Sequence, residues 1–310
     1  MMKYRTDLAI ERMEMAVSKA DDSGDKAGGK REGSPAGGAA DGISVEKEEC
    51  GDGVSVTRIE ITSLAGEARL EKPMGNYITI EAEGITEGAE ETKEKAGQVI
   101  AGELSRLIKF HSRLKVLVAG LGNVMVTPDS LGPAAVSKIR VTNHLFEMFG
   151  ADEDDEMSRV SCIAPGVTAT TGMETAEIVS EIARLVRPEV VIVIDSLAAR
   201  DIQRLNTTVQ ITDTGISPGA GTGNHRTGID EETVGARVVA IGVPTVIDIT
   251  TVIGDALADN VENVEKMERY MEEYDRQMIV TSTDIDMLIK DFSDIIANGI
   301  NKTLHPGIYS

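Results

Sequence analysis

The sequence predicts an α/β protein: a mostly parallel or mixed central sheet with helices on both faces, and a small antiparallel β element near the N-terminus. Three observations carry that expectation. Several short runs are apolar throughout and rich in β-branched residues, as strands buried on both faces are: LKVLVAG (114–120), EVVIVID (189–195) and ARVVAIGVPTVIDIT (236–250). These runs alternate with segments whose apolar residues recur at helical spacing. Ahead of them, VSVTRIEIT (54–62) and NYITIEAEG (76–84) alternate apolar and polar residues, the pattern of half-buried strands.

The elements follow in order. RTDLAIERMEMA near the N-terminus begins a helix, with Thr6 or Asp7 as its cap. Residues 20–53 differ in composition: nine of the thirty-four are glycine and almost none is large and apolar. Ordering them would cost entropy with little burial in return, so a flexible Gly- and acid-rich insertion is expected there. Gly66, Pro73 and Gly75 separate the two alternating runs, which makes them an antiparallel pair. ETKEKAGQVIAGELSRLIKFH aligns Val99, Ile100, Leu104, Leu107 and Ile108 on one helical stripe. After the strand ending at Gly120, a helix is expected over Asp129–Phe149, then an acidic loop, ADEDDE, and a short strand in VSCIAPG. Thr171-Gly-Met-Glu174 has the form of a capping box opening a helix through Arg187, which Pro188 stops. Past the strand ending at Asp195 come a short helix around Leu197–Leu205 and a strand in TVQITDTGI. One or two strands follow in residues 236–250, and an amphipathic helix closes the chain at Ile285–Leu304.

Composition narrows the function. A net charge of -21, from 31 Lys+Arg against 52 Asp+Glu, leaves no basic face for phosphates, so direct nucleic-acid binding is not expected. No apolar window is long enough to span a membrane, and the charged N-terminal stretch is not a signal peptide. A cytoplasmic protein is expected. Cys50 and Cys162 lie in segments of different character, which predicts two unbridged thiols in a reducing compartment.

The stretch VLVAGLGNVMVTPDSLG, Val116 to Gly132, ends a strand in glycines. A dinucleotide fingerprint needs a third glycine where Met125 stands, and no Gly-Lys-Ser/Thr follows. The glycines therefore turn the chain, and the residue of interest is downstream. Asp129 falls at the start of the next helix, where an acid also serves as a cap. A second acid, Asp195, ends the apolar strand VVIVID, and residues past the carboxyl ends of parallel strands line the ligand crevice of α/β sheets. Two carboxylates at short range cannot both ionise, so one acts as base while the other holds a proton, which suits activation of water against an amide. Asp248, in PTVIDIT, ends another apolar strand and is a third and weaker candidate. Gly215-Ile-Ser-Pro-Gly219 imitates a serine nucleophile elbow, but Pro218 lacks the N–H that the oxyanion hole requires. His111, His144, His225 and His305 are scattered and form no metal-binding spacing.

The strings RTDLAIE, GLGNVMVTPDSLGP, IAPGVTATTGMET, VIVIDSLAAR, TDTGISPGAGTGN and IGVPTVIDITT occur in that order across most of the chain outside the 20–53 island. Together they resemble the germination protease (spore protease) family of endospore-forming bacteria. The resemblance implies a homotetrameric endopeptidase, made as a zymogen in the forespore and confined to the spore core. During germination it starts the degradation of small acid-soluble spore proteins. It also implies an α/β fold related to the hydrogenase maturation peptidases, and it matches the two acids of the family to Asp129 and Asp195. Cleavage is expected after an acidic residue and before an apolar one followed by alanine and, further on, glutamate. Thr6-Asp7-Leu8-Ala9-Ile10-Glu11 has that shape, so self-processing is expected between Asp7 and Leu8, with residues 1–7 as propeptide and 8–310 as a single peptidase domain. Gly122 and Asn123 are expected to shape the substrate pocket. No histidine clearly replaces the metal ligand of the hydrogenase peptidases, so no metal and no cofactor are expected. Two alternatives are a metal-dependent maturation peptidase of the related fold and a nucleotide-binding regulatory protein that uses Gly120–Asn123.

Overall fold

The computed structural model describes residues 6–22, 42–219, 227–256, 266, 269–270 and 278–309. Residues 23–41 of the Gly-rich island and His225 lie outside them. The chain begins α1 (Ala9–Asp22), β1 (Ile43–Gly51), β2 (Val54–Ile61), α2 (Leu64–Leu70), β3 (Gly75–Ala82), α3 (Glu90–Leu107) and β4 (Lys115–Gly120). It continues α4 (Leu131–Val136), α5 (Asn143–Phe149), β5 (Arg159–Ile163), α6 (Thr168–Thr171), α7 (Thr175–Val186), β6 (Val190–Ala199) and β7 (Thr208–Thr212). Next come α8 (Glu231–Val234), β8 (Arg237–Asp248), α9 (Ile249–Ala256) and β9 (Ile279–Val280), before a twenty-residue helix, α10 (Ile285–Leu304).

The nine strands among the described residues form one mixed sheet, in the order β1-β2-β3-β7-β8-β6-β4-β5, with β9 paired to β8. From β1 to β8 neighbours run antiparallel, and from β8 to β5 they run parallel. The antiparallel element is therefore not separate: β3 joins it to the parallel half through β7.

Period-two alternation sends alternate residues of each strand to opposite faces. On one face Ile192 and Ile194 of β6, Val116 and Val118 of β4 and Ile241 of β8 meet Ile100 and Leu104 of α3 and Phe292, Ile296 and Ile300 of α10 in the largest core cluster. The stripe predicted for α3 faces this core. Gly299 of α10 lets the two helices touch, because a Cβ there would come within 2.5 Å of the Ile100 side chain. On the other face Val191 and Val193 pack under Val179 and Ala183 of α7, while Leu197 and Ala199 of the same strand pack with Leu8 and with Ala9 and Ile10 at the start of α1.

Several expectations are corrected. Residues 43–51 of the presumed loop form β1, held in register with β2 from Ile43↔Ile61 onward, and Cys50 is part of that strand. The sheet edge supplies hydrogen bonds that composition does not advertise. Both cysteines are free. The expected helix over Asp129–Phe149 is two short helices preceded by a 3-10 turn at Thr127–Asp129, because the segment bends around the sheet end. Thr171 closes α6 instead of opening a helix. Gly172 takes a left-handed turn (φ 72°) and α7 starts at Thr175 with Glu174 at its cap. Leu197–Ala199 remain in β6, leaving only a 3-10 turn at Ile202–Arg204, so Asp195 lies within the strand and not at its end. Residues 237–248 form a single strand.

Candidate active site

β4 and β6 run side by side only as far as Gly120↔Ile194. β6 continues to Ala199, and its next residue, Asp195, is buried at 5% exposure. Its carboxylate accepts a hydrogen bond from the Ser196 N–H at 2.9 Å. The chain leaving β4 stays anchored there, with the Leu121 N–H donating to the Ile194 carbonyl at 2.8 Å.

The glycines then allow a close passage of backbone. A Cβ on Gly120 would lie 2.2 Å from the Gly132 carbonyl oxygen, and one on Gly132 would lie 2.2 Å from that of Leu121 and 2.6 Å from that of Ile194. Gly122 is left-handed (φ 114°), and a Cβ on it would lie 1.9 Å from the Asp129 carbonyl oxygen. These residues bring the start of α4 down onto the ends of β4 and β6, a steric purpose that needs no phosphate. Asn123 closes the loop: its N–H is shared between the Asp129 carbonyl and carboxylate oxygens, both at 2.9 Å. Its side-chain oxygen accepts from the Met125 N–H at 3.0 Å. Asn123, which holds Asp129, is thus two residues from Leu121, which bonds Ile194, the residue before Asp195.

A residue that the sequence reading missed locks the loop from the other side. Pairing of β6 with β8 shifts register between Leu197 and Ala198, so Thr245 is an extra residue in β8. Its buried hydroxyl donates to the Pro128 carbonyl at 2.6 Å. A threonine in an apolar strand carries no mark of this in the sequence.

Asp248 stands elsewhere. It is six residues along β8 from Gly242, the partner of Asp195, or about 20 Å in an extended strand. Its carboxylate accepts from the N–H of Thr250 at 2.8 Å and from the Thr250 hydroxyl, at the start of α9.

The N-terminal segment docks on the same stretch of β6. The Asp7 N–H donates to the Ala198 carbonyl at 3.1 Å, and the Asp7 carboxylate accepts from the Ala198 N–H at 2.9 Å. Leu8 is fully buried in the cluster that contains Leu197, Ala199 and Tyr77. The Asp7 carbonyl oxygen accepts from Lys72 Nζ at 2.8 Å and from Gln210 Nε2 at 3.1 Å, while Gln210 Oε1 accepts from the Ala9 N–H at 2.7 Å. Glu11, 2% exposed, accepts from the N–H groups of Arg200 (2.9 Å) and Asp201 (2.8 Å) and from the Thr6 hydroxyl. Burial pushes its carboxyl above the ordinary glutamate value, and these donors work against that shift. Arg204 grips Glu14 through two bonds of 2.7 Å and closes the end of the clamp.

Among the described residues no three His, Cys, Asp or Glu side chains converge so as to hold a metal ion. His305 is fully buried against the Arg140 carbonyl, far along the chain from these acids. No helix among the described residues is long and apolar enough to cross a membrane.

A family model described as germination protease matches residues 9–277, which makes the protein a peptidase. A germination protease of Caldanaerobacter subterraneus is 42% identical over 290 residues, covering 86% of this chain and 89% of that protein. One from Clostridium perfringens is 37% identical over 99% of this chain and 97% of its own length, and one from a Geobacillus species is 35% identical over 99% and 95%. The chain belongs to the germination protease family. A NiFe hydrogenase maturation protease from Thermococcus kodakarensis superposes with a TM-score of 0.34 at 15% identity, over 64% of this chain and 98% of that one. At that level the likeness carries no argument about chemistry.

Proposed function

We propose that the protein is an endopeptidase that starts the degradation of small acid-soluble spore proteins during germination, with Asp129 and Asp195 as its catalytic pair. The observation that supports this reading is local. Leu121 bonded to Ile194, and Asn123 bonded to Asp129, tie one acid to the strand that carries the other. In this reading one carboxylate stays ionised and takes a proton from water as the water attacks the scissile carbonyl carbon. The other holds a proton and passes it to the departing amide nitrogen. Asp195 is buried and Asp129 half-buried, so the two acids stand in unequal surroundings.

The chain is made as a zymogen, with residues 1–7 as propeptide and 8–310 as the peptidase domain, and it cuts itself between Asp7 and Leu8. What favours this is how the segment is held. Its acid, its apolar residue and its glutamate each meet a complementary partner: the Ala198 N–H, an apolar cluster, and the N–H groups of Arg200 and Asp201. A substrate with acid, apolar residue, alanine and later glutamate fits the same fixtures. The active form is a homotetramer of the forespore and spore-core cytoplasm and reads protein, not nucleic acid.

The test is incubation with a small acid-soluble spore protein, followed by mass spectrometry of the fragments and of the enzyme's own N-terminus. Fragments ending in an acidic residue, together with a new N-terminus at Leu8, are the expected result. An intact substrate, or cuts unrelated to acidic residues, would refute the proposal.

A further inference from the structure

Two side-chain donors converge on one backbone oxygen in the docked segment. Lys72 Nζ and Gln210 Nε2 lie 2.8 and 3.1 Å from the carbonyl oxygen of Asp7, the residue before the proposed cut. They come from different places: Lys72 follows α2, and Gln210 is central in β7, only 6% exposed. Gln210 is also in register with Gly242, and Gly242 with Asp195. The three therefore lie side by side across β7, β8 and β6 and point to one face of the sheet. Gly242 adds no side chain between the other two, and the Leu197 side chain lies over it.

A helix start needs no such cradle. The Ala9 N–H already bonds Gln210 Oε1, and the Leu8 N–H bonds the Thr6 hydroxyl, so the segment is fixed without a cation on the Asp7 carbonyl. Although Lys72 is partly exposed as a residue, its amino group is turned inward. Desolvation there lowers the ammonium from the ordinary lysine value, and the Asp7 charge opposes that shift. A positive donor and an amide N–H held on one carbonyl oxygen form the arrangement that stabilises a tetrahedral oxyanion.

We propose that Lys72 and Gln210 are the oxyanion donors of this peptidase, acting on the carbonyl of the acidic residue at the cut. The inference rests on the reading that Asp7–Leu8 is cleaved by the aspartate pair. Water oxygen bonds to the Asp7 carbonyl carbon, and the π pair moves to the carbonyl oxygen, where Lys72 and Gln210 hold the charge. The water proton goes to the ionised aspartate. When the intermediate collapses, the C–N bond breaks, the protonated aspartate gives its proton to the Leu8 nitrogen, and Asp7 leaves as a carboxylic acid. Proteins cut in trans place the carbonyl of their own acidic residue in the same cradle once the segment has left it.

The full-length chain tests this. Its rate of conversion to a Leu8 N-terminus is followed by mass spectrometry for the wild type, Lys72→Met, Lys72→Arg and Gln210→Leu. Amide exchange over residues 8–13 reports whether the segment is still docked. The expected result is a loss of about 100-fold in Lys72→Met with the segment still protected, and a comparable loss in Gln210→Leu, which also removes the Ala9 N–H bond and is therefore compared at its own level of protection. Lys72→Arg, which keeps a charged donor, is expected to lie between that and the wild type. An unchanged rate in Lys72→Met, or a loss that appears only where protection is also lost, would overturn the oxyanion role and leave the aspartate reading intact. A wild-type chain that never cuts at Asp7–Leu8 would overturn both.

Discussion

Gly122→Ala tests whether the glycine turn exists to aim Asp129. The residue has φ 114°, a region where a side chain costs about 1–2 kcal/mol. The new Cβ would also lie 1.9 Å from the Asp129 carbonyl oxygen, whereas real Cβ atoms essentially never approach other heavy atoms within 3.0 Å. The clash is with backbone, so no rotamer relieves it, and Asp129 must retreat by about 1 Å. That retreat breaks the two bonds from the Asn123 N–H, one to the Asp129 carbonyl oxygen and one to its carboxylate. A displacement of this size costs about 100-fold in rate when it falls on a reacting group. Strain and conformation together should cost about 3 kcal/mol, or roughly 5 °C in Tm for a chain of this size. The assays are substrate cleavage followed by gel or mass spectrometry, and thermal unfolding by circular dichroism. Gly102→Ala is the control. That glycine is exposed within α3 and a Cβ there meets nothing within 4 Å, so stability should rise by up to about 1 kcal/mol and activity stay constant. Wild-type activity in Gly122→Ala would refute the argument that this turn positions the acid.

Two further predictions follow from the packing. Arg58 of β2 and Glu103 of α3 form a bidentate pair (3.0 and 2.6 Å), and Glu103 is 4% exposed, so Glu103→Ala should cost about 3 kcal/mol in urea unfolding; a change below about 0.5 kcal/mol would contradict that assignment. Burial lowers His305 below the ordinary histidine value, so the unfolded chain takes up its proton first. The stability that the neutral ring contributes is present above pH 6.5 and is lost as the pH falls from there toward the folded value. His305→Gln should therefore show a shallower fall in stability below pH 6.5 than the wild type, and parallel pH curves for the two proteins would dispose of this account.

How far the sequence carries can be judged residue by residue. The strands around Val116–Gly120, Val190–Asp195 and Arg237–Asp248 were legible because burial on both faces writes a continuous apolar run. α3 and α10 were legible because one buried stripe writes a helical period. The stretch from Asp129 to Phe149 misled because its apolar spacing is helical while the chain has to bend around the sheet end. β1 was hidden because an edge strand with charged outward residues, as in VEKEE, resembles a solvated loop until its partner is known. At the site, Asp129 and Asp195 stood out as acids after apolar runs, and Asp248 stood out for the same reason although it lies far along β8. Lys72, Gln210 and Thr245 gave no local signal. Each matters through a partner distant in sequence, and such contacts appear only when the chain is folded.

The central claim, that Asp129 and Asp195 together cleave the peptide bond, is tested most directly by measuring conversion to a Leu8 N-terminus and cleavage of a small acid-soluble spore protein in Asp129→Asn and Asp195→Asn. Each substitution keeps the shape of the side chain and removes its ability to take up or release a proton, so both variants should unfold close to the wild-type temperature while both cleavages disappear. Retained cleavage in both variants would contradict the account.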